Sequence, residues 1–367
     1  MKTTCSLLLL LAHTLASSLS AQNSTPVPPQ TVGDGRERLL ATPNRPRPSA
    51  FRDGSWTVYI DNDLFNGTDR YYTNGFRYAR LSQDLRLDEL PWFHRKLGQL
   101  IKGPFTDPSK VKNMGIALGQ SMFTPANIDT PLALPEDRPY AGWLYLSTSL
   151  QAKDRNRLDQ LEISLGVVGP SSFAEEAQDA WHAVIGADKA QGWDNQLQDE
   201  LAFNLYYKTR WRKKYLLNRN KPSGWGYSLH ANVAASLGTV HVDASTGAAV
   251  RFGFNLPDDF GSNRISPTAY VQPSLNRRDT EKRGFGWYAF VGFDGFLRAH
   301  NIFLDGGTFR SGPSVDKIPY VGEFEVGTAI TYREWRVSYT QVFRSDEFEE
   351  QDTGNQNFGT LAFSYRF

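Results

Sequence analysis

A dense group of oxygen-bearing side chains lies between Ile60 and Gly75, directly after an apolar alternation that ends at Ile60. Its carboxylates, amides and hydroxyl belong to Asp61, Asn62, Asp63, Asn66, Asp69 and Thr73. Hard oxygen donors at this density suit Ca²⁺, which takes roughly six to eight oxygen ligands. The segment does not fit an EF-hand, because Tyr72 stands where the closing Glu belongs. Asp, Asn and Gly are also ordinary turn formers, so a calcium site and a solvated polar loop both remain open.

A histidine on a predicted helix is the second group that could do chemistry. Ser172 followed by Glu175 forms a capping-box pattern, and Gly186 provides a helix end, so the spacing predicts a helix between them. Gln178 and His182 are four residues apart and therefore share one face of that helix. Histidine is the usual general base near neutral pH. The alternative is a surface or packing histidine without a catalytic role.

Other nucleophile schemes find little support in the sequence. No Gly-x-Ser-x-Gly motif is present, and the single cysteine, Cys5, lies in the predicted signal sequence. The 40 basic and 39 acidic residues give a net charge of +1, which argues against a nucleic-acid partner.

The first fifty residues differ in composition from the remainder. Lys2, the apolar run Leu7–Leu11 and the small residues up to Ala21 predict a secretory signal peptide at residues 1–21. Residues 22–50 are rich in Pro, Thr, Ser and Arg and predict an extended, disordered leader. The functional domain is therefore expected at residues 51–367.

That domain consists of alternating apolar and polar positions, which predict about twelve β-strands of roughly 9–15 residues. Their predicted ranges are 54–62, 74–82, 113–122, 140–151, 157–168, 201–211, 225–237, 240–254, 284–298, 320–332, 334–344 and 359–367. A soluble β-sandwich shows the same alternation. The length and number of the segments, the aromatic residues at their ends and the final Phe367 favour an all-β class: a transmembrane antiparallel β-barrel.

The order of the strands places the two chemical groups at one end of the barrel. In an up-and-down barrel, the connections after strands one, three and five emerge at the same rim. These are residues 61–74, 123–139 and 169–198. The oxygen-rich loop and the predicted helix are therefore expected at the same, extracellular, rim.

Several motifs in this order resemble those of the LpxR family of lipid A 3′-O-deacylases. They are Asp-Asn-Asp-Leu-Phe from Asp61, Thr-Asp-Arg-Tyr-Tyr-Thr-Asn-Gly from Thr68, Asp-Arg-Pro-Tyr-Ala-Gly-Trp from Asp137, Gly-Val-Val-Gly-Pro from Gly166, and the segment around His182 with Trp193 and Gln196. The resemblance implies a twelve-stranded barrel in the outer membrane of a Gram-negative bacterium. It also implies a Ca²⁺-dependent site, facing the cell exterior, between the barrel wall and a helix in an extracellular loop. The implied partner is lipid A, or lipopolysaccharide, of the outer leaflet.

The resemblance also implies roles for individual residues. His182 matches the catalytic histidine, and catalytic positions fall on Asp63, Asn62, Thr73 and Gln178; Asp63 and Asn62 are the implied calcium ligands, and supporting positions fall on Asp188, Asp69 and Arg138. One departure concerns the second outer connection, where a Lys-Arg pair of better-known members is absent from the stretch beginning at Asn127. The acyl chain and the form of lipid A therefore stay unassigned.

The reaction implied is hydrolysis of an acyl or acyloxyacyl ester, with water activated by His182 and the carbonyl polarised by Ca²⁺. Two other functions remain open from the sequence. One is a passive outer-membrane pore, and the other is a barrel that binds lipopolysaccharide without catalysis.

Overall fold

The computed structural model describes residues 54–63, 70–217, 224–261, 284–351 and 356–367. The predicted signal peptide and leader lie outside these residues. The strands are β1 (Ser55–Asn62), β2 (Tyr71–Leu81), β3 (Val111–Thr124), β4 (Ala141–Lys153), β5 (Arg157–Val168), β6 (Glu200–Leu216), β7 (Trp225–Gly238), β8 (His241–Phe254), β9 (Phe285–Asn301), β10 (Tyr320–Tyr332), β11 (Trp335–Arg344) and β12 (Gln356–Arg366). Each strand pairs antiparallel with the next, and β1 pairs with β12, which closes the barrel. The predicted twelve-stranded barrel is confirmed.

The outward face of the barrel is apolar. Along each strand every second side chain points outward, and these positions carry exposed large hydrophobic residues such as Leu146, Leu165 and Phe203. Near the chain ends Trp56, Trp335 and Tyr365 form a group of contacting rings, with Trp335 and Tyr365 4.4 Å apart. An apolar band with interfacial aromatic residues is the pattern of a barrel in lipid.

We call the two ends of the barrel the lid rim and the terminal rim. The lid rim carries the β1–β2, β3–β4 and β5–β6 connections, and the terminal rim carries Gly54 and Phe367. Apolar side chains fill the interior close to the lid rim, where the ring of Phe123 stacks on that of Phe303 at 4.1 Å. Phe303 belongs to a short helix, α3 (Ile302–Asp305), whose first three residues are buried.

Charged networks occupy the interior below this apolar layer. Midway, the guanidinium of Arg77 binds Glu162 at 2.8 Å and donates to the hydroxyl of Tyr145 at 3.2 Å. Closer to the terminal rim, Arg251 and Arg336 both bind the buried carboxylate of Asp259, which lies in the segment after β8. An interior packed in this way resembles a folded core more than an open channel.

Two longer helices lie in connections, α1 (Trp92–Ile101) between β2 and β3 and α2 (Ala174–Ile185) between β5 and β6. In the part of the chain described here, no helix combines the length and apolar character needed for a membrane span. Helix α2 ends as predicted, with Gly186 in the left-handed conformation at φ 73°. The predicted start is wrong: Ser172 lies in a 3₁₀ turn, and Phe173 occupies the cap position with no side-chain cap bond. Ser172 is instead committed to packing against the wall.

Candidate active site

The predicted site residues of β1 and β2 lie on the outward face of the wall, at the lid rim. Strand register places Asn62, Asn74, Met122 and Gly142 side by side on β1 to β4. Asn62 points outward because it follows the alternation of Val58 and Ile60. Its side chain is nevertheless buried, so other parts of the protein cover the wall at this point.

A β-bulge aims the hydroxyl of Thr73. The register between β2 and β3 shifts between Tyr72 and Asn74, which leaves Thr73 as the extra residue. Its Oγ1 lies 2.6 Å from Oγ1 of Thr124 on β3, and both residues are buried. Bulges recur next to active sites because they redirect a side chain without ending the strand pairing.

Helix α2 starts on the outward face of β3 and β4. The backbone N–H of Gly169 donates to the carbonyl of Gly142 at 3.1 Å, and Gln120 Nε2 donates to the carbonyl of Ser172 at 2.6 Å. A Cβ on Gly142 would lie less than 3.0 Å from Oγ of Ser172 and from Cβ of Ala174. Gly142 therefore permits this close approach, as a glycine within a strand often does.

One face of α2 is turned toward the wall. Its buried residues are Ala174, Gln178 and His182, which are spaced four apart. Oε1 of Gln178 accepts a hydrogen bond of 2.7 Å from Nε1 of Trp193, and the ring of Trp193 packs 5.0 Å from that of Tyr140. The amide of Gln178 is thus held by a rigid aromatic pair beneath the helix.

The imidazole of His182 has a defined tautomer. Its Nδ1 lies 2.5 Å from the main-chain oxygen of Asp188. A carbonyl only accepts, so Nδ1 carries a proton, and in the neutral imidazole Nε2 then presents a lone pair. This is the arrangement of a general base. The carboxylate of Asp188 is exposed, so Asp188 orients the ring through its backbone.

Oxygen donors lie close together at the end of β1. Asp63 is buried, its backbone N–H donates to the carbonyl of Thr73 at 3.3 Å, and its Oδ2 accepts from the N–H of Arg70 at 2.6 Å. Asp63 directly follows Asn62 in the chain, and a buried carboxylate and a buried amide oxygen are donor types that fit Ca²⁺. Asp69 lies outside the described residues.

A second acidic group lies elsewhere. Within the described ranges, Asp316, Glu349 and Glu350 form one exposed cluster whose oxygens lie within 4.8 Å of one another. Exposed carboxylates of this kind are common without a bound ion, and the cluster contains no predicted site residue.

Arg138 is not brought to the same face as the other predicted residues. It is buried in the lumen, with its guanidinium 4.8 Å from the ring of Phe123 and 3.2 Å from the carboxylate of Glu347. Glu347 also binds Arg298 and Arg344. Burial alone would raise the pKa of Glu347, but the three guanidinium groups hold it well below its ordinary value. Arg138 therefore ties the β3–β4 connection to the β11–β12 connection.

The dimensions of the wall and the helix match. From Ala174 to His182 the helix advances about 12 Å. From β4, where Ala174 packs, to β1, which carries Asn62, three strand spacings give about 14 Å. In the structure α2 contacts β4 and β3. A helix that continued across the strands in that direction would bring His182 to within about one strand spacing of β1.

Gly142 and Thr124 contribute to the site but are not among the residues predicted from the sequence. A glycine inside an alternating strand is a usable signal for close approach. Thr124 carries no such signal, because its role depends on the bulge in the neighbouring strand.

Comparison with known proteins agrees with this architecture. The family model described as "Outer membrane protein LpxR" matches residues 8–367. LpxR from Salmonella typhimurium is 18% identical, with a TM-score of 0.66 over 85% of this chain and 100% of that one. The transport unit of the autotransporter AIDA-I from Escherichia coli is 8% identical, covers 96% of this chain and 97% of that one, and has a TM-score of only 0.36. A search of curated proteins gives no match. With a family match over nearly its whole length and the same barrel as a solved member, this chain belongs to the LpxR family of outer membrane proteins.

Proposed function

We propose that this protein is a Ca²⁺-dependent ester hydrolase that removes an acyl or acyloxyacyl chain from lipid A, as a 3′-O-deacylase does. Family membership supports an outer-membrane lipid A deacylase. The observation that supports ester hydrolysis by a histidine base is the buried imidazole of His182. It carries a proton on Nδ1 and lies on the face of α2 turned toward the wall.

The position of the site supports a membrane lipid as the substrate. Asn62, Thr73 and the buried face of α2 lie on the outward side of the wall, next to the apolar band that includes Leu144 and Leu146. A lipid in the adjoining leaflet can reach such a site sideways, with its acyl chains still against the barrel. We assign the lid rim to the cell exterior, because lipid A belongs to the outer leaflet.

The reaction requires one proton to move from water to His182 and then from His182 to the leaving oxygen. His182 Nε2 takes a proton from water while the water oxygen bonds to the ester carbonyl carbon. The tetrahedral intermediate then breaks its bond to the sugar oxygen, and the imidazolium returns the proton to that leaving oxygen. The products are a free fatty acid and a sugar hydroxyl, and no acyl-enzyme forms. Gln178 and Trp193 hold the helix face in register for these steps.

Asp63 and Asn62 would hold the calcium ion, which when bound supplies positive charge that stabilises the developing oxyanion. Thr73, held by Thr124, positions the neighbouring part of β2. The fit rests on the donor chemistry of two buried oxygen-bearing side chains at one strand end.

Replacing the proposed base tests the catalytic step. His182→Ala should lower acyl release by about 10²- to 10⁴-fold, the range expected for loss of a general base. Mass spectrometry of lipid A after incubation with the reconstituted protein and Ca²⁺ measures this. Val184→Ala, on the exposed side of the same helix, is the matched control and should retain activity. Equal activity of the two variants would refute the assignment of His182.

Metal dependence has a separate test. Chelation should abolish acyl release and added Ca²⁺ should restore it, while Asp63→Asn should raise the Ca²⁺ concentration needed for half-maximal rate. Asp316→Asn changes the exposed acidic cluster and serves as the control. A shift in Ca²⁺ requirement for Asp316→Asn but not for Asp63→Asn would refute Asp63 as a ligand of the ion.

A further inference from the structure

The β2–β3 connection at the terminal rim folds back against the outside of the barrel. Leu85 pairs with Lys112 as an antiparallel bridge, and Nζ of Lys110 binds the carboxylate of Asp159 at 2.8 Å. Asp159 points outward from β5, on the side of the wall that carries Leu161 and Leu165. The connection is therefore fixed to the wall over β3 to β5.

Helix α1 within this connection lies directly on β4. Nε2 of His94 lies 2.8 Å from Oγ1 of Thr148, and a Cβ on Gly98 would contact the side chain of Leu150 at 3.3 Å. Thr148 and Leu150 point outward, in line with Leu146. The buried stripe of α1, His94 and Gly98, is thus used for packing on the barrel.

A second stripe of α1 is apolar and largely exposed. Phe93, Leu97, Leu100 and Ile101 follow the i, i+4, i+7, i+8 spacing of one helix face, immediately beside the stripe that packs on β4. Leu97 is half-buried against the cluster that contains Leu150, and the other three are exposed. Leu100 is 80% exposed, Phe93 46% and Ile101 40%, and Trp92 at the helix start is 67% exposed. The remaining side carries Arg95, Lys96 and Gln99.

The position of α1 along the barrel places this stripe beside the apolar band. Thr148, which holds His94, pairs with Ile116, and Ile116 is itself an exposed residue of the apolar band. Leu146, two residues further along β4, is 63% exposed and lies only about 7 Å away. The apolar stripe of α1 therefore lies close to the surface that meets the acyl chains.

We infer that α1 lies in the plane of the membrane at the terminal rim and inserts Phe93, Leu100 and Ile101 between lipid acyl chains. Arg95 and Lys96 then lie at the headgroups, and Trp92 lies at the interface, where its amphipathic ring is favoured. Given the proposed orientation of the site, this is the inner, phospholipid leaflet. The helix thereby fixes how deeply the barrel sits in the bilayer, independently of the chemistry at the lid rim.

Depth-dependent quenching tests this placement. The sequence contains a single cysteine, Cys5, so a Cys5→Ser background allows one reporter thiol at a time. Leu100→Cys and Lys96→Cys are labelled with bimane in the full-length protein, which is then reconstituted into vesicles of phosphatidylcholine and phosphatidylglycerol. Leu146→Cys reports the known apolar band. Heat-dependent electrophoretic mobility confirms that each labelled barrel is folded.

The label at position 100 should be quenched by doxyl-chain lipid to within about twofold of that at position 146, as for a residue buried below the headgroups. Iodide in the buffer should quench it about threefold less than the label at position 96. If position 100 responds to iodide as strongly as position 96 and ignores doxyl lipid, the stripe faces water or a periplasmic partner, and the inference is overturned. Neither result depends on acyl release, so the test is separate from that of the proposed function.

Discussion

Gly142 offers the sharpest test of how α2 is positioned. In Gly142→Ala the added methyl group would lie below 3.0 Å from Cβ of Ala174, whereas ordinary contact begins near 3.4 Å. Oγ of Ser172 can rotate away, but Cβ of Ala174 is fixed to the helix backbone. The start of α2 must therefore move outward by roughly 1 Å. His182 lies two helical turns further along the same face and moves with it.

A displacement of about 1 Å can cost about 10²-fold in rate, which corresponds to about 2.7 kcal/mol in the activation barrier. We expect this loss in acyl release from lipid A, measured by mass spectrometry, while heat-dependent mobility shows an intact barrel. Gly295→Ala is the matched control, because its Cβ would point outward from β9 and meet its nearest neighbour, Phe293, at 3.9 Å. A Gly142→Ala rate as high as that of Gly295→Ala would refute the seating of α2 on this glycine.

Two further changes test contacts described above. Asp188→Ala should retain most of the activity, because the main-chain oxygen that accepts from His182 is unchanged; a loss as large as that of His182→Ala would show that the carboxylate acts instead. Glu347 is ionised in the folded protein at a pH where an unfolded glutamate, with a pKa of about 4.3, takes up a proton. Because folding lowers the pKa of Glu347, its ion pairs stabilise the fold fully above the pKa of the unfolded state. This stabilisation is lost as the pH falls toward the pKa of the folded state. The unfolding temperature should therefore fall more steeply between pH 6 and pH 3 in the wild type than in Glu347→Gln, and parallel curves would contradict this linkage.

The barrel could be predicted from the sequence because the pattern that indicates each strand lies within that strand. Alternation along a strand such as β7 follows from one face meeting lipid and the other a packed interior, and each segment shows this by itself. Because strands in an up-and-down barrel alternate in direction, the first and third outer connections were predicted at one rim. The structure has Asn62 and α2 at that rim. Gly186 ended the helix because a left-handed residue is strongly favoured to be glycine.

The remaining features depend on partners that the sequence does not reveal. The capping pattern at Ser172 was overridden because that residue packs on Gly142, thirty positions earlier in the chain. The bulge at Thr73 depends on register with β3, and the contact to His182 uses a backbone oxygen that any residue at 188 would supply. The lumenal place of Arg138 likewise follows from Glu347, more than two hundred residues later.

The outward location of the site has a kinetic consequence. For the proposed lipid substrate, substrate and protein would share one bilayer, so they would meet by lateral diffusion and the relevant concentration would be molecules per unit area. Diluting the lipid with an inert amphiphile should then slow turnover even when the total amount of lipid is constant. The interior of the barrel is packed with aromatic rings and ion pairs. It therefore acts as a rigid support for the wall on which α2 is held.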